Sequence, residues 1–232
     1  MCISIFPPTK SERTLLEISN LNITYPGHES LAVISWQIEA GQQIALLGRS
    51  GAGKSTLLNT IVRGSPHIRN QSKRLAYLAQ KPALLPWLSV IDNVLLGFKL
   101  RGEPIDRCNS ERALDLLTQV NLESLAHRKA NQLSGGQSTR VALARLLIED
   151  ADLILLDEPF ASLDRSTRIQ MATLCKTLLD QRTVILVTHD PRDAADWLGT
   201  AMVLSNEKLE GPFKLSDFNN DDVLINALGG DL

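Results

Sequence analysis

The sequence predicts an α/β fold in which a mainly parallel sheet carries a small antiparallel β layer and an inserted α-helical subdomain. Three short apolar runs, at residues 43–47, 153–156 and 183–187, have the length and composition of buried parallel strands. Polar residues follow each run directly, and the carboxyl ends of parallel strands meet at one edge of a sheet. We therefore expect a ligand-binding crevice at that edge.

The regions around these strands have different patterns. Residues 15–23 and 32–38 alternate loosely between apolar and polar side chains, which predicts two antiparallel strands of the small β layer. Between about residues 81 and 150, apolar side chains recur at helical spacing, which predicts the helical subdomain. The predicted limits are an N-terminal tail at 1–13, a main domain at 14–210 with its core at 14–80 and 151–210, the helical subdomain at 81–150, and a C-terminal helix or tail at 211–232.

Composition excludes several broad classes of function. The 232 residues include 24 basic and 26 acidic side chains, so the formal net charge is −2. Because the chain has no overall positive field, we expect no nucleic-acid partner, and any polyanion must be bound by a short local arrangement of amides and a few cations. No apolar run reaches the length of about 20 residues that a membrane-spanning helix needs. Cys2, Cys108 and Cys175 are widely spaced, which is typical of thiols in a reducing compartment.

A glycine-rich segment directly after the first predicted strand has the pattern of a phosphate-binding loop. Its glycines allow successive backbone N–H groups to turn toward an anion at the start of the following helix. We expect Lys54 to reach the β- and γ-phosphates of a nucleotide and Ser55 to ligate Mg²⁺. The alternative is a glycine-rich turn that binds nothing. The candidate phosphate-binding residues are Gly48, Arg49, Ser50, Gly51, Ala52, Gly53, Lys54, Ser55 and Thr56.

Acidic residues and a histidine follow the other two predicted strands. Asp157 and Glu158 suit divided roles in phosphoryl transfer, with Asp157 in the magnesium shell and Glu158 polarising water. Taken alone, acidic residues at a strand end are often merely solvated, but the phosphate-binding loop favours the functional interpretation. His189 ends a neighbouring strand of the same crevice, although a single histidine there is more often a surface residue.

A second candidate phosphate site lies far along the chain. Leu133-Ser134-Gly135-Gly136-Gln137 precedes an amphipathic helical run, so Ser134 can cap that helix while the glycines let an anion approach its amides. The alternative is an ordinary helix cap with glycines. One nucleotide does not easily explain both this segment and the first loop.

Together, these motifs resemble those of the ATP-binding subunit of an ABC transporter, over about residues 15–209. Residues 48–56 match the Walker A loop, residues 153–158 Walker B with its catalytic glutamate, and residues 133–137 the ABC signature. Four further positions match single-residue features of the family. They are the aromatic that stacks on adenine at Tyr25, the Q-loop glutamine at Gln80, the D-loop at Ser162-Leu163-Asp164 with its aspartate last, and the switch histidine at His189.

The resemblance implies a P-loop NTPase core of the RecA-like type, with ATP and Mg²⁺ as cofactors. It implies catalytic roles for Lys54, Gln80, Glu158 and His189, and metal contacts from Ser55, Gln80 and Asp157. In the family, two cassettes pair head to tail, either as a homodimer or with a related cassette. Residues 133–137 would then act on the ATP bound by the partner. Cofactor contacts are implied for Ser134, Gly135, Gly136, Gln137 and Asp164.

The resemblance also implies separate transmembrane permease subunits docked near Gln80, a solute-binding protein in the complete system and a peripheral position on the cytoplasmic face of the membrane. Residues 83–94 resemble the corresponding segment of importers of nitrate, sulfonates and taurine, although Leu85 and Trp87 there also suit packing of the helical subdomain. The alternatives are an exporter subunit and a soluble ABC ATPase associated with ribosomes or DNA.

Two departures from the family pattern stand out. Residues 68–72 replace a customary glycine-bearing strand pair, so we expect the small β layer to lack a hairpin. Ser138 and Thr139 stand where basic or amide side chains are common, and we expect this change to tune the dimer rather than remove activity.

Overall fold

The computed structural model describes residues 13–23, 32–190, 192–195, 197–205 and 208–215. Within these ranges the strands are β1 Thr14–Ile23, β2 Ala32–Glu39, β3 Gln43–Leu47, β4 Ile68–Asn70, β5 Leu75–Leu78, β6 Leu153–Asp157, β7 Thr183–Val187, β8 Thr200–Leu204 and β9 Leu209–Lys214. The α-helices are α1 Lys54–Arg63, α2 Val90–Val94, α3 Leu96–Arg101, α4 Arg107–Gln119, α5 Gly135–Leu147, α6 Arg165–Leu178 and α7 Arg192–Ala195. Short 3-10 helices span Glu123–Leu125 and Ala130–Gln132.

The larger sheet has the strand order β5-β6-β7-β3-β8-β9. Strands β6, β7, β3 and β8 run parallel to one another, and β9 joins antiparallel to β8. All residues of β6 and β7 are buried, as expected for uninterrupted apolar strands inside a parallel sheet. The predicted α/β fold is confirmed, and the carboxyl ends of β3, β6 and β7 lie at the same edge of the sheet.

The smaller sheet is antiparallel with the order β2-β1-β4. Its inward side chains share one apolar core with α1 and the larger sheet; Ile18, Ile34, Leu57 and Leu155 are all nearly inaccessible there. Within the described residues, the segment between α1 and β5 contributes only the short strand β4 to this sheet. Residues 68–72 thus supply one strand and no strand pair, although β1 and β2 themselves pair antiparallel.

Contacts divide the chain into two compact units. The core unit contains the described residues up to 77, residues 151–158 and the described residues from 181 onward; the helical unit contains residues 78–150 and 159–180. The predicted limits placed 159–180 in the core, whereas the structure groups them with the helical stretch, because the loop after Glu158 packs on the start of α5. The other predicted limits stay predictions. No helix among the described residues is both long and apolar enough to cross a membrane.

The C-terminal helix or tail was predicted to begin at residue 211, and this predicted start is too early. Residues 211–214 belong to β9, which pairs with β8 at the edge of the sheet. The Gly211-Pro212 pair is typical of a break between strands, but an edge strand tolerates proline because one of its sides needs no N–H donor. Residues 216–232 and the predicted tail at 1–12 lie outside the described residues.

Cys175 on α6 is expected to resist thiol reagents in the folded protein. Full burial raises the pKa of its thiol to about 12, and the thiolate is the reactive form. A Cys2→Ser/Cys108→Ser variant should therefore react with a thiol-specific chromophore only after urea is added. The matched Cys2→Ser/Cys175→Ser variant keeps the half-buried Cys108 and should react without urea. Rapid native labelling of Cys175 would contradict the packing of α6.

Candidate active site

The loop between β3 and α1 is shaped by glycines at two positions where another residue would not fit. A Cβ on Gly48 would lie 2.3 Å from the carbonyl oxygen of Leu204, so the backbone passes β8 too closely for any side chain. Gly53 has φ of 98° and forms the N-cap of α1 in the left-handed region, which L-residues rarely adopt. An α-helix does not use its first N–H groups internally, and those of α1 directly follow this loop, where they suit an anion.

Lys54 is the first residue of α1 and is almost fully buried. Its Nζ donates to the carbonyl oxygens of Gly48 at 2.6 Å and Arg49 at 2.8 Å. Burial lowers the pKa of the ammonium, while the charges of Glu158 and Asp157 act in the opposite direction. The cation is therefore held inside the loop, on the side where the acidic pair lies.

Ser55 and Asp157 bring two hard oxygen ligands together. The Ser55 hydroxyl donates to Asp157 Oδ1 at 3.0 Å, and Asp157 is only 2 % exposed. Burial raises the pKa of Asp157, the Ser55 hydrogen bond opposes that shift, and the nearby charge of Glu158 adds to it. A hydroxyl and a carboxylate oxygen side by side fit Mg²⁺, which in nucleotide sites takes one or two protein oxygens and completes its shell with phosphates and water.

Tyr77 contacts the second oxygen of the same carboxylate. Its hydroxyl lies 3.4 Å from Asp157 Oδ2. Burial and the charge of Asp157 raise the pKa of Tyr77 to about 12, so this hydroxyl keeps its proton near neutral pH. Tyr77 was not among the residues predicted from the sequence. The sequence does contain one indication of its role. Tyr77 carries a polar group within the otherwise apolar strand Leu75–Leu78, and a hydroxyl that is buried needs a hydrogen-bond partner.

Glu158 and His189 face each other across the ends of β6 and β7. The Glu158 N–H donates to the Val187 carbonyl at 3.0 Å, which holds Glu158 in the left-handed region with φ of 48°. His189 Nδ1 lies 3.5 Å from Glu158 Oε1. The Glu158 side chain is 19 % exposed and that of His189 is 59 % exposed, so both can reach a ligand above the strand ends.

Thr188 fixes the turn that carries His189. This threonine is buried, and its hydroxyl donates to Asp193 Oδ2 at 2.9 Å while accepting from the Asp190 N–H at 3.0 Å. These bonds set the backbone on both sides of the histidine. Thr188 was not among the candidate residues named from the sequence, although it directly precedes His189.

The signature-like segment forms the start of α5 in the helical unit. Ser134 is the N-cap: its Oγ accepts from the Gln137 N–H at 3.3 Å, and Gln137 Oε1 accepts from the Ser134 N–H at 2.9 Å. The ordinary capping role is thus satisfied within the chain, at a gain of about 1 kcal/mol for such a cap. Ser134 and Gly135 are exposed, and α5 begins with N–H groups that have no partner within the helix and can meet an anion.

The remaining predicted residues are placed separately. Gln80 follows β5 closely and is exposed. Asp164 caps α6 by accepting from the Thr167 N–H at 3.0 Å, and its bonds to Thr167 hold the pKa of the carboxyl below its usual value. Tyr25 lies outside the described residues. The core unit therefore brings together Lys54, Ser55, Asp157, Glu158 and His189, whereas residues 134–137, Gln80 and Asp164 belong to the helical unit.

Comparison with known proteins decides the family. The sequence model of the ABC transporter family matches residues 31–161, more than half of the chain. The chain belongs to this family of ATP-binding proteins. Its core is accordingly a P-loop NTPase fold, and its chemistry is ATP hydrolysis.

Curated relatives of this ABC protein include transport ATPases. The chain is 40 % identical over 204 residues to the taurine import ATP-binding protein TauB of Escherichia coli K12, covering 82 % of this chain and 79 % of the relative. It is also 40 % identical over 187 residues to an uncharacterized ABC transporter ATP-binding protein of Haemophilus influenzae, covering 78 % of each.

Solved structures of ABC proteins match most of the chain. One is an ATP-binding cassette in a dimeric post-hydrolysis state with ADP and Pi, at a TM-score of 0.75 and 31 % identity, covering 86 % of this chain and 98 % of that one. Another is a metal-chelate type ABC transporter in an inward-facing conformation, at a TM-score of 0.75 and 25 % identity, covering 92 % of this chain and 88 % of that one.

Proposed function

We propose that this chain is the ATP-hydrolysing subunit of a membrane importer and that it works as a head-to-tail pair with separate permease subunits. The observation that carries the proposal is the convergence of Lys54, Ser55, Asp157, Glu158 and His189 at one edge of the sheet. A cation and a pair of hard oxygen ligands suit phosphate and Mg²⁺, and a carboxylate base beside a histidine suits activation of water, which together serve phosphoryl transfer to water.

Each of these groups has a distinct task. The loop amides and Lys54 bind the β- and γ-phosphates, and Ser55 and Asp157 would hold Mg²⁺. When bound, Mg²⁺ neutralises phosphate charge that develops during the reaction. Glu158 accepts the proton of the attacking water. His189, whose Nδ1 lies 3.5 Å from Glu158 Oε1, contacts the γ-phosphate side.

The residues of the helical unit act on a second ATP in this proposal. The first N–H groups of α5, after the N-cap Ser134, have no acceptor inside the helix and can donate to a phosphate. Asp164 is the N-cap of α6. The dimeric solved cassette with ADP and Pi supports pairing of two such chains. Two copies placed head to tail would each cover the nucleotide on the other's Walker A loop, and Gln80 would line the route to the permease.

The importer assignment rests on two observations. TauB, an import protein by name, is 40 % identical over most of both chains. Residues 83–94 resemble the segment after the Q-loop of such importers, and Trp87 in this segment is 65 % exposed, which leaves its ring available to another subunit. A peripheral position on the cytoplasmic face of the membrane and a solute-binding protein outside it complete the proposed system.

Affinity purification from detergent-solubilised membranes tests the assignment. We expect the tagged chain to bring down membrane-spanning polypeptides in a fixed ratio and to hydrolyse ATP in that complex. Uptake of a solute by cells should also stop when the chain is deleted. Ribosomal proteins or DNA in place of membrane polypeptides would support the soluble alternative, and unimpaired uptake with impaired efflux would support the exporter.

A further inference from the structure

The hydroxyl of Thr139 connects two segments of the helical unit that lie far apart in sequence. Thr139 is on α5, one turn after Gly135, and is 7 % exposed. Its Oγ1 lies 3.1 Å from the Gly135 carbonyl oxygen and 2.8 Å from Ser162 Oγ. Ser162 belongs to the loop between β6 and α6, so the second contact joins the signature helix to that loop.

The direction of the two bonds follows from their chemistry. A carbonyl oxygen only accepts, so the single Thr139 hydroxyl hydrogen is donated to Gly135. The Ser162 hydroxyl then donates to Thr139 Oγ1. The result is a short chain of bonds from the loop, through Thr139, to the backbone of the first signature glycine.

Packing between the same segments supports this connection. A Cβ on Gly136 would lie 3.5 Å from the Ser162 carbonyl oxygen and 3.6 Å from the Leu163 side chain, so the loop rests directly on the first turn of α5. Leu163 is itself buried, and its N–H donates to the Phe160 carbonyl at 3.1 Å. Asp164, which caps α6, is the next residue.

We infer that Thr139 and Ser162 are positioning residues that join residues 134–137 to the Asp164 loop, so that both meet the ATP of a second copy as one preformed surface. The inference deepens the proposed function and rests on it. Preforming a surface lowers the entropy lost when it binds. Thr139 stands where basic or amide side chains are common in the family, and its contact with Ser162 gives this threonine a physical role.

ATP-dependent dimerisation of hydrolysis-deficient protein measures this role. In a Glu158→Gln background, light scattering gives the ATP concentration at which half of the chains are dimeric. We expect Thr139→Val to raise that concentration by about fivefold, the change that loss of one hydrogen bond produces in an equilibrium constant. Thr139→Ser keeps the hydroxyl and should restore the parent value. ATP affinity of the monomer should not change, because Thr139 does not belong to the core unit.

Thr173→Val is the matched control. Like Thr139, Thr173 donates its hydroxyl hydrogen to the carbonyl four residues earlier, and its Oγ1 lies 2.9 Å from the Ile169 carbonyl oxygen. It should leave dimerisation unchanged. Ser162→Ala, at an exposed position, should reproduce the effect of Thr139→Val. The double variant should dimerise about as well as either single variant, because each single variant removes the same bond between Thr139 and Ser162. Ser162→Ala also keeps the test decisive if Thr139→Val fails to fold.

The outcomes separate the inference from the proposed function. A parent Glu158→Gln protein that stays monomeric in ATP overturns the head-to-tail proposal itself. A parent that dimerises while Thr139→Val and Ser162→Ala dimerise equally well overturns only the positioning role. If Thr139→Val and Thr173→Val raised the ATP concentration needed for dimerisation equally, the cause would be a general effect on helix stability. That result would also overturn the positioning role.

Discussion

Replacement of Glu158 by glutamine is expected to reduce the rate of ATP hydrolysis by at least about a hundredfold, the contribution of a positioned general base. The introduced amide cannot accept the proton of the attacking water, while Lys54, Ser55 and the loop amides proposed to bind phosphate remain in place. ATP affinity should therefore stay close to that of the parent protein. Phosphate release measures the first quantity, and equilibrium binding of a fluorescent ATP analogue measures the second.

Glu111→Gln is the control for this variant. Glu111 lies on α4 and pairs at 2.7 Å with the largely exposed Arg107, so its neutralisation removes the same charge without touching the strand ends. We expect its hydrolysis rate to match that of the parent protein. If Glu158→Gln also hydrolysed ATP at the parent rate, Glu158 would not be the base, and its closeness to His189 would need another explanation.

Replacement of Lys54 by alanine is expected to abolish measurable nucleotide binding at concentrations that saturate the parent protein. The variant loses the buried cation that the loop between β3 and α1 encloses. It also leaves the Gly48 and Arg49 carbonyls without this donor and the buried Asp157 with less compensating charge. Titration with labelled ATP, together with thermal melting to confirm folding, measures the effect.

Arg63→Ala is the matched control for Lys54→Ala, because Arg63 is an exposed cation at the opposite end of the same helix, α1. It should bind ATP as the parent does. Tight ATP binding by a folded Lys54→Ala protein would contradict the assignment of residues 48–56 as the phosphate site.

Much of the fold could be predicted from local patterns. The strands β3, β6 and β7 are short apolar runs closed by polar residues, and such runs are visible directly in the sequence. Because parallel strands place their carboxyl ends at one edge, the same runs also predicted that residues 48–56, Glu158 and His189 would converge. β9 was missed because Gly211-Pro212 breaks the pattern that identifies strands, and only the edge position next to β8 makes it acceptable.

Contacts between distant side chains could not be predicted in the same way. The bond between Tyr77 and Asp157 joins residues 80 positions apart, and that between Thr139 and Ser162 joins residues 23 apart. Their distances depend on strand register and helix packing, which periodicity does not specify. Motif spacing identified the candidate reacting groups, whereas the residues that hold them, such as Tyr77, required the folded structure.

The central claim is that each ATP site is completed by two copies of the chain, and mixing two inactive variants tests it most directly. Lys54→Ala inactivates the half of a site that the loop at residues 48–56 supplies. Gly135→Asp blocks the other half by placing a negative charge at the start of α5, in a position where an added Cβ meets nothing within 4 Å and an acidic residue suits the helix N-terminus. A mixed dimer would contain one intact loop facing one intact signature.

We predict that each variant alone is inactive and that the mixture hydrolyses ATP well above the sum of the two separate rates. Adding Glu158→Gln to the Gly135→Asp chain, which carries the intact loop, should abolish the recovered activity, whereas adding it to the Lys54→Ala chain should not. A mixture as inactive as its components would contradict the claim, because residues 134–137 would then serve the loop of their own chain.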